Sequence, residues 1–395
     1  MTCLLALLLA APPGQPAFVA HSAATQPVSG PLRSLSPDAG LKLGDSGPIP
    51  AGDLVSIRRT DRPRPASPRG PQVILANGDR VRGTVTGGDR QSVTVRPGAA
   101  DAEWKVPIAA LAAVWVNPPP ADTPADPARY TWVEPGRRRD AVLLATGDVT
   151  RGTVDSFGAN PAAVRVKTTD VVTLPLDRVA AIAFDPTLAR LRKPKGPYYR
   201  LVTADGSRLS LTAAASDGQT LTGTTLFNAP VAVPLDEVIA LDVLQGKATY
   251  LSDLKPADAK VEGYGGVTWP WAADRTVKGQ PLRLSGRFGE ETFDKGLGTH
   301  PRTTLTYALD GRFRRFEAMV GLDPLTGRRG IADVKVLVDG TDVTPPGLAG
   351  LTAAGSPKSV VVDVSKAKQL TLVVDFGPAG DVQDDVNWGD ARLIE

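Results

Sequence analysis

The chain has 395 residues, 42 % of them hydrophobic and 22 % charged, with a formal net charge of +3; at roughly 100–200 residues per domain this predicts two or three globular domains. Two His and one Cys exclude a paired-histidine metalloprotease motif, a cysteine zinc site, an iron–sulfur cluster and a disulfide framework, and leave His300 as the base that a Ser-His-Asp hydrolase would have to use. The basic excess is small and dispersed except within 58–69 and 137–139; without interleaved aromatics these arginines read as solvated linker residues, and no nucleic-acid partner is expected.

The chain begins with an apolar run from Cys3 to Ala11. It is shorter than the ~20 apolar residues that span a bilayer, and it fits the hydrophobic region of a secretory signal. Ser22-Ala23-Ala24 supplies small residues for cleavage, which makes residues 1–24 the expected signal peptide. One feature departs from the pattern: no Lys or Arg precedes the run, and Arg33 is the first basic residue. Cys3 has no lipobox before it, so no lipid anchor is expected. Cleavage after Ala24 would remove Cys3 and His21. No other stretch has transmembrane length, and the expected location is extracytoplasmic: periplasmic, cell-surface or secreted.

A pattern then recurs. Its copies open at Leu75-Ala76-Asn77-Gly78-Asp79, Leu144-Ala145-Thr146-Gly147-Asp148 and Thr203-Ala204-Asp205-Gly206-Ser207. Each Gly is followed at near-constant distance by a Pro (Pro107, Pro175, Pro234), and apolar residues stand four and seven places after it: Leu111 and Val114, Val179 and Ile182, Val238 and Leu241. The end of a further copy is Pro50, Leu54 and Ile57. A Gly after a polar residue between apolar strands signals a tight hairpin. Gly83 and Gly152 fall mid-strand, where a small barrel bends sharply; the third copy has Leu211 there, which predicts a weaker bend. Each copy therefore predicts four to five short strands, resembling Sm-like or SH3-like barrels in strand count and turn placement. Their expected role is as spacers or as contacts to other envelope proteins. The Pro-rich connectors 117–127 and 185–197 are expected to be stiff and to hold neighbouring units apart. The expected layout is a partial repeat and Arg/Pro-rich linker over 25–70, then three repeats within 71–248, at about 71–117, 140–186 and 199–245.

From about Thr249 the strand signals lengthen, over 302–309, 312–320, 334–338, 359–364 and 370–376. Leu305, Tyr307 and Leu309 alternate, as do Val334, Val336 and Val338, so each strand buries one face. Asp339-Gly340 marks a hairpin. About eight antiparallel strands without a helical pattern predict a β-sandwich.

Phe293-Asp294-Lys295-Gly296-Leu297-Gly298-Thr299-His300, Arg315-Phe316-Glu317-Ala318, Gly321-Leu322-Asp323, Val336-Leu337-Val338-Asp339-Gly340 and Asp385-Val386-Asn387-Trp388-Gly389-Asp390-Ala391-Arg392-Leu393 follow one another in an order and spacing that resembles the NPCBM domain, a carbohydrate-binding module attached to many glycoside hydrolases. Thr249–Leu254 fits the domain's entry, and Asn387 stands where the family often has Asp. The resemblance covers 249–395. It implies a galactose-binding-like β-sandwich (jelly roll) that binds sugars, often with a structural Ca²⁺. The fold class expected overall is all-β: tandem small barrel-like repeats followed by that sandwich.

A sugar site needs a flat apolar ring against the pyranose C–H face and planar polar groups for its hydroxyls. Trp388 with Asp384 and Asn387 fits that need, as do His300 and Arg302 after the glycine-rich turn, and Asp323. Trp388 as a core residue, His300 as a loop tie and Asp323 as a turn cap are the structural alternatives. Trp269 and Trp271, flanking Pro270, are a candidate second platform. Asp381, Asp384 and Asp385 are the oxygen ligands available to a calcium ion. Glycosidases place two carboxylates across a cleft about 5–10 Å apart; Asp384 and Asp385 are adjacent and would point to opposite faces of a strand. The expected function is thus non-catalytic carbohydrate binding, of a galactose-type or complex glycan. The alternatives are a structural or protein-interaction role with a degenerate module, or a glycoside hydrolase or its accessory.

Overall fold

The computed structural model describes residues 16–100, 102–117, 137–159, 162–378 and 380–395. The apolar run 3–11 and nearly all of the connector 117–127 lie outside the described residues. The chain is all-β. It divides into two compact units: one takes in 27–60 and 67–244 with the residues up to 21, the other 245–395 with 22–26 and 61–66.

Each repeat of the first unit is built the same way. In the first of the three expected copies, the strands Gln72–Leu75, Arg80–Gly88, Ser92–Pro97 and Trp104–Pro107 pair in succession, and Leu111–Trp115 returns beside the first of them. Asp140–Leu144 to Val179–Ala183 and Tyr198–Thr203 to Val238–Leu244 repeat that order. The hairpin turns at Gly78, Gly147 and Gly206 have φ of +92°, +91° and +87°, a conformation that glycine adopts without steric cost. After each Pro a single 3₁₀ turn leads into the closing strand. The paired apolar residues that follow it, Leu111 with Val114, Val179 with Ile182 and Val238 with Leu241, are all buried in one core.

The sharp bend occurs in all three copies, as a register shift in the second strand. A Cβ on Gly83 or Gly152 would lie 2.7 or 2.5 Å from the facing carbonyl. The third copy has Leu211 at that position and bends as well, because the missing side chain moves to the partner strand: a Cβ on Gly223 would lie 2.6 Å from the Ala213 carbonyl. The expectation of a weaker bend is corrected accordingly.

The fourth copy is more complete than expected. Ala17–Ser22, Val28–Ser36, Gly40–Leu43 and Leu54–Arg59 are its strands, and an isolated Leu41–Ile49 bridge takes the fourth place. Ala17–Ser22 alternates in burial, with Phe18 and Ala20 in the core. Cleavage after Ala24 would remove this strand, so the boundary at 24 does not fit the fold. The copies also do not stand apart. Leu54–Arg59 pairs with Val238–Leu244, and Leu111–Trp115 with Val179–Ala183. Closing strand thus meets closing strand, and hydrogen-bonded edges replace the separation expected from the connectors. The arginines of 58–69 are not uniformly solvated either. Arg58 pairs with Asp242, and Arg59 donates to the Asp236 carbonyl at 2.7 Å.

The second unit is a two-sheet sandwich. One sheet runs Ala272–Ala273, Gly296–Thr299, Val386–Ile394, Arg315–Leu322, Lys358–Asp363, with Ala248–Tyr250 also on Val386–Ile394. The other runs Asp258–Val261, Thr303–Ala308, Gln369–Phe376, Ile331–Val338, Thr341–Asp342, with Leu351–Thr352 also on Ile331–Val338. Leu297, Phe316, Val320, Trp388 and Leu393 of the first face Leu305, Tyr307, Val334, Val336 and Leu372 of the second in one core, the alternation expected of half-buried strands. The upstream stretch 61–66 belongs to this unit. Arg64, fully buried, donates to Asp390 at 2.9 Å and lies 5.3 Å from the Phe293 ring, while its carbonyl accepts from Thr292.

Candidate functional site at one end of the sandwich

Strand register gathers a set of loops at one end of the sandwich. Thr299 and Leu322 both face Val386, Thr303 faces both Val261 and Val374, and Ala332 faces Phe376. The segments 262–271, 300–302, 323–330 and 377–385 therefore leave the sheets on the same side. The motif glycines secure this packing. Gly296 has φ +146°, and a Cβ there would lie 2.0 Å from the Trp388 carbonyl. A Cβ on Gly298 would lie 2.3 Å from the Arg275 carbonyl.

His300 is buried in this loop cluster, with Nδ1 2.7 Å from Asp385 Oδ1. The other carboxylate oxygen of Asp385 lies 3.1 Å from the Lys278 ammonium. Imidazole orientation is thus fixed from one side, while Nε2 has no hydrogen-bond partner. The Trp269 ring stands 6.1 Å from the imidazole, centroid to centroid, and is 40 % exposed. Arg302, 46 % exposed, donates through Nε to Asp375 at 2.8 Å and reaches Glu262 at 3.3 Å. Its guanidinium lies 5.4 Å from the Phe376 ring, and Tyr264, 61 % exposed, meets that ring edge-on at 5.7 Å. The hydrogen bond to Asp375 raises the Arg302 pKa and helps lower that of Asp375, so both stay charged.

The remaining sequence-predicted residues, Trp388, Asn387, Asp323 and Asp384, are buried. Trp388 is fully buried in the core and offers no face to a ligand. Its strand is central and covered on the inner side by the opposing sheet, and residues flanking it in sequence point the other way. Asn387 is buried, its amide donating to the Arg283 carbonyl at 2.9 Å. Asp323 caps a turn: Oδ1 accepts from Leu325 N–H and its carbonyl from Thr326 Oγ1. Asp384 Oδ1 accepts from Ile331 N–H at 2.7 Å, and Oδ2 is buried without a partner. Burial pushes the Asp384 pKa up to about 6, against the opposing pull of the Ile331 N–H and His300. Burial, helped by the Asp385 charge, also raises that of Asp323. Trp271 packs partly against the core; of the expected second platform, Trp269 is the exposed ring.

The expected calcium ligands Asp384 and Asp385 have other partners in the structure. Asp385 is held between His300 and Lys278, and one oxygen of Asp384 is committed to a backbone N–H. Among the described residues no group of three or more His, Cys, Asp or Glu side chains converges as a metal site would require. Lys278, Glu262 and Tyr264 were not legible as site residues. The Tyr264-Gly265-Gly266 turn beside two tryptophans was the available signal.

The NPCBM/NEW2 domain model matches residues 247–394. A Renibacterium salmoninarum protein named "Putative endo-alpha-N-acetylgalactosaminidase" is 29 % identical over 151 residues, 38 % of this chain and 10 % of its own length. The chain thus spans about a tenth of that relative. The CBM51 module of Clostridium perfringens GH95, solved in complex with methyl-galactose, is 30 % identical, with 37 % of this chain and 99 % of that one covered and a TM-score of 0.34. CBM51-2 with the INT domains of Clostridium perfringens ZmpB, in complex with GlcNAc, is 26 % identical, covering 45 % of this chain and 36 % of that one, with a TM-score of 0.35.

Proposed function

Because residues 247–394 belong to the NPCBM family, carbohydrate-binding modules associated with glycoside hydrolases, we propose that this chain is an exported, non-catalytic glycan-binding protein whose ligand sits on the loop end of the sandwich. The observation that carries the reading is the pairing of the exposed Trp269 ring with His300, whose Nε2 has no partner while Asp385 and Lys278 hold its other side. A pyranose presents an apolar C–H face to the exposed indole and its hydroxyls to the polar groups around it. Arg302, Glu262 and Tyr264 line the same end and offer further hydroxyl partners. The ligand class is a galactose-type or complex glycan.

The non-catalytic reading rests on the carboxylates. Asp385 is held by His300 Nδ1 and the Lys278 ammonium, and Asp384 is buried with one oxygen on the Ile331 N–H, so the two adjacent carboxylates do not face each other across an open cleft as a glycosidase pair does. Export is supported by the apolar run 3–11. A glycan array probed with the full chain tests the proposal: retention on galactose-terminated or related glycans is expected, and a folded chain that binds no glycan overturns it.

A further inference from the structure

A cleft of about 380 Å³ opens on the repeat unit, lined by Arg90, Arg139, Gly152, Thr153, Lys167 and Thr168. Its size is that of small-molecule sites, about 300–1,000 Å³, but its lining is polar and basic. Three turns and strand ends supply the charges. Arg90 lies between the Arg80–Gly88 and Ser92–Pro97 strands of one repeat, Arg139 stands just before Asp140–Leu144 of the next, and Lys167 ends Ala162–Lys167 opposite Thr153. Gly152 brings two strands close, with a Cβ position 2.5 Å from the Lys167 carbonyl.

Among the described residues, the carboxylates around the cleft pair with Arg90 but leave Arg139 and Lys167 unmatched. Asp155 bonds Arg90 at 2.5 Å. Asp140 is buried, its oxygens accepting from the N–H groups of Val154 and Asp185. Asp170 is exposed, and its backbone carbonyl accepts from Thr168 Oγ1. Arg139 and Lys167 have no ion-pair partner among the described residues. A guanidinium fork and an ammonium beside the Thr153 hydroxyl match the oxygens of a tetrahedral anion.

We propose that this cleft binds a tetrahedral oxyanion, a sulfate or phosphate ester group carried on a larger molecule. The site is separate from the loop end of the sandwich, and the proposal does not depend on sugar binding there. The test is calorimetric titration of the full chain with dextran sulfate, inorganic sulfate, inorganic phosphate and neutral dextran, at low and high salt. Dextran sulfate or one of the inorganic anions is expected to bind and to weaken as salt rises. The R139Q/K167Q variant is expected to lose about tenfold or more in affinity, with an unchanged thermal unfolding midpoint. Preference for phosphate over sulfate would identify a phosphate ester as the source, and preference for dextran sulfate a sulfated glycan. Absence of binding to every oxyanion, binding of neutral dextran equal to that of dextran sulfate, or undiminished binding by R139Q/K167Q would overturn the proposal.

Discussion

Both units bury polar groups, brace some of them with several hydrogen bonds and leave others without a partner. In the repeats, Asp79 accepts from both the N–H and the hydroxyl of Ser210, and Asp140 accepts from two backbone N–H groups. These carboxylates act as braces between strands and between copies. At the loop end of the sandwich, polar atoms that are just as buried stay unmatched: His300 Nε2, Asp384 Oδ2 and Asn387 Oδ1. A buried polar atom without a partner costs about 1–3 kcal/mol. A fold that concentrates several of them beside exposed aromatic rings keeps hydrogen-bonding capacity at that end. The repeats leave Gln72 Oε1, Trp104 Nε1 and Asp205 Oδ2 unmatched as well; at the loop end of the sandwich one such atom, His300 Nε2, belongs to a ring 6.1 Å from the exposed Trp269.

Substitutions in the sandwich separate scaffold from platform. Trp388→Ala has the largest expected effect: it empties a fully buried site and should cost about 3–5 kcal/mol in chemical denaturation of the sandwich. Arg64→Met comes next. It strips Asp390 of its buried partner, although Asp390 is itself 17 % exposed, so roughly 2–3 kcal/mol is expected, below the 3–5 kcal/mol of fully buried pairs. A loss measured in the sandwich transition would confirm that a residue far upstream in sequence helps hold this unit. Trp269→Ala should shift the same transition by less than about 0.5 kcal/mol, as exposed positions do. A large destabilisation there would make Trp269 a core residue and erase the contrast.

A separate expected effect is on pH dependence. Asp384 keeps its proton up to about pH 6 in the folded chain, against 3.8 for the ordinary group. The folded state therefore binds the extra proton between those values. The stability this contributes is complete below about pH 4 and lost as pH rises through about 6. Asp384→Asn keeps an acceptor for Ile331 N–H and should flatten part of that decline in thermal unfolding midpoint. An unchanged profile would place the Asp384 carboxyl in water.

Much of the fold was legible in the sequence, because its signals are local. The Gly turns and Pro-led 3₁₀ turns recur at fixed places, and period-two apolar patterns mark the strands. What was not legible depends on long-range register. Ala17–Ser22 has the small and apolar residues of a signal's cleavage region, and only its pairing with Val28–Ser36 and Leu54–Arg59 reveals a strand. Closing-strand pairing between copies leaves no mark in either copy. At the proposed site, the glycine-rich motif pointed to a loop position for His300, where the structure has it, and Trp269 was visible as a candidate platform. Trp388 misled because a tryptophan beside Asp and Asn reads alike on a surface loop and on a central strand, and only the facing sheet decides. Lys278 became relevant through one contact with Asp385, at a sequence distance no short motif spans.

The most direct test is calorimetric titration of the full chain and of Trp269→Ala with a glycan retained on the array, such as methyl galactoside. The unaltered chain is expected to bind, and Trp269→Ala to lose about twofold to tenfold in affinity with its unfolding transition unchanged, the loss expected when a stacking ring of about 0.5–1.5 kcal/mol is removed. Equal binding by the two proteins would contradict the assignment of the ligand to the loop end of the sandwich.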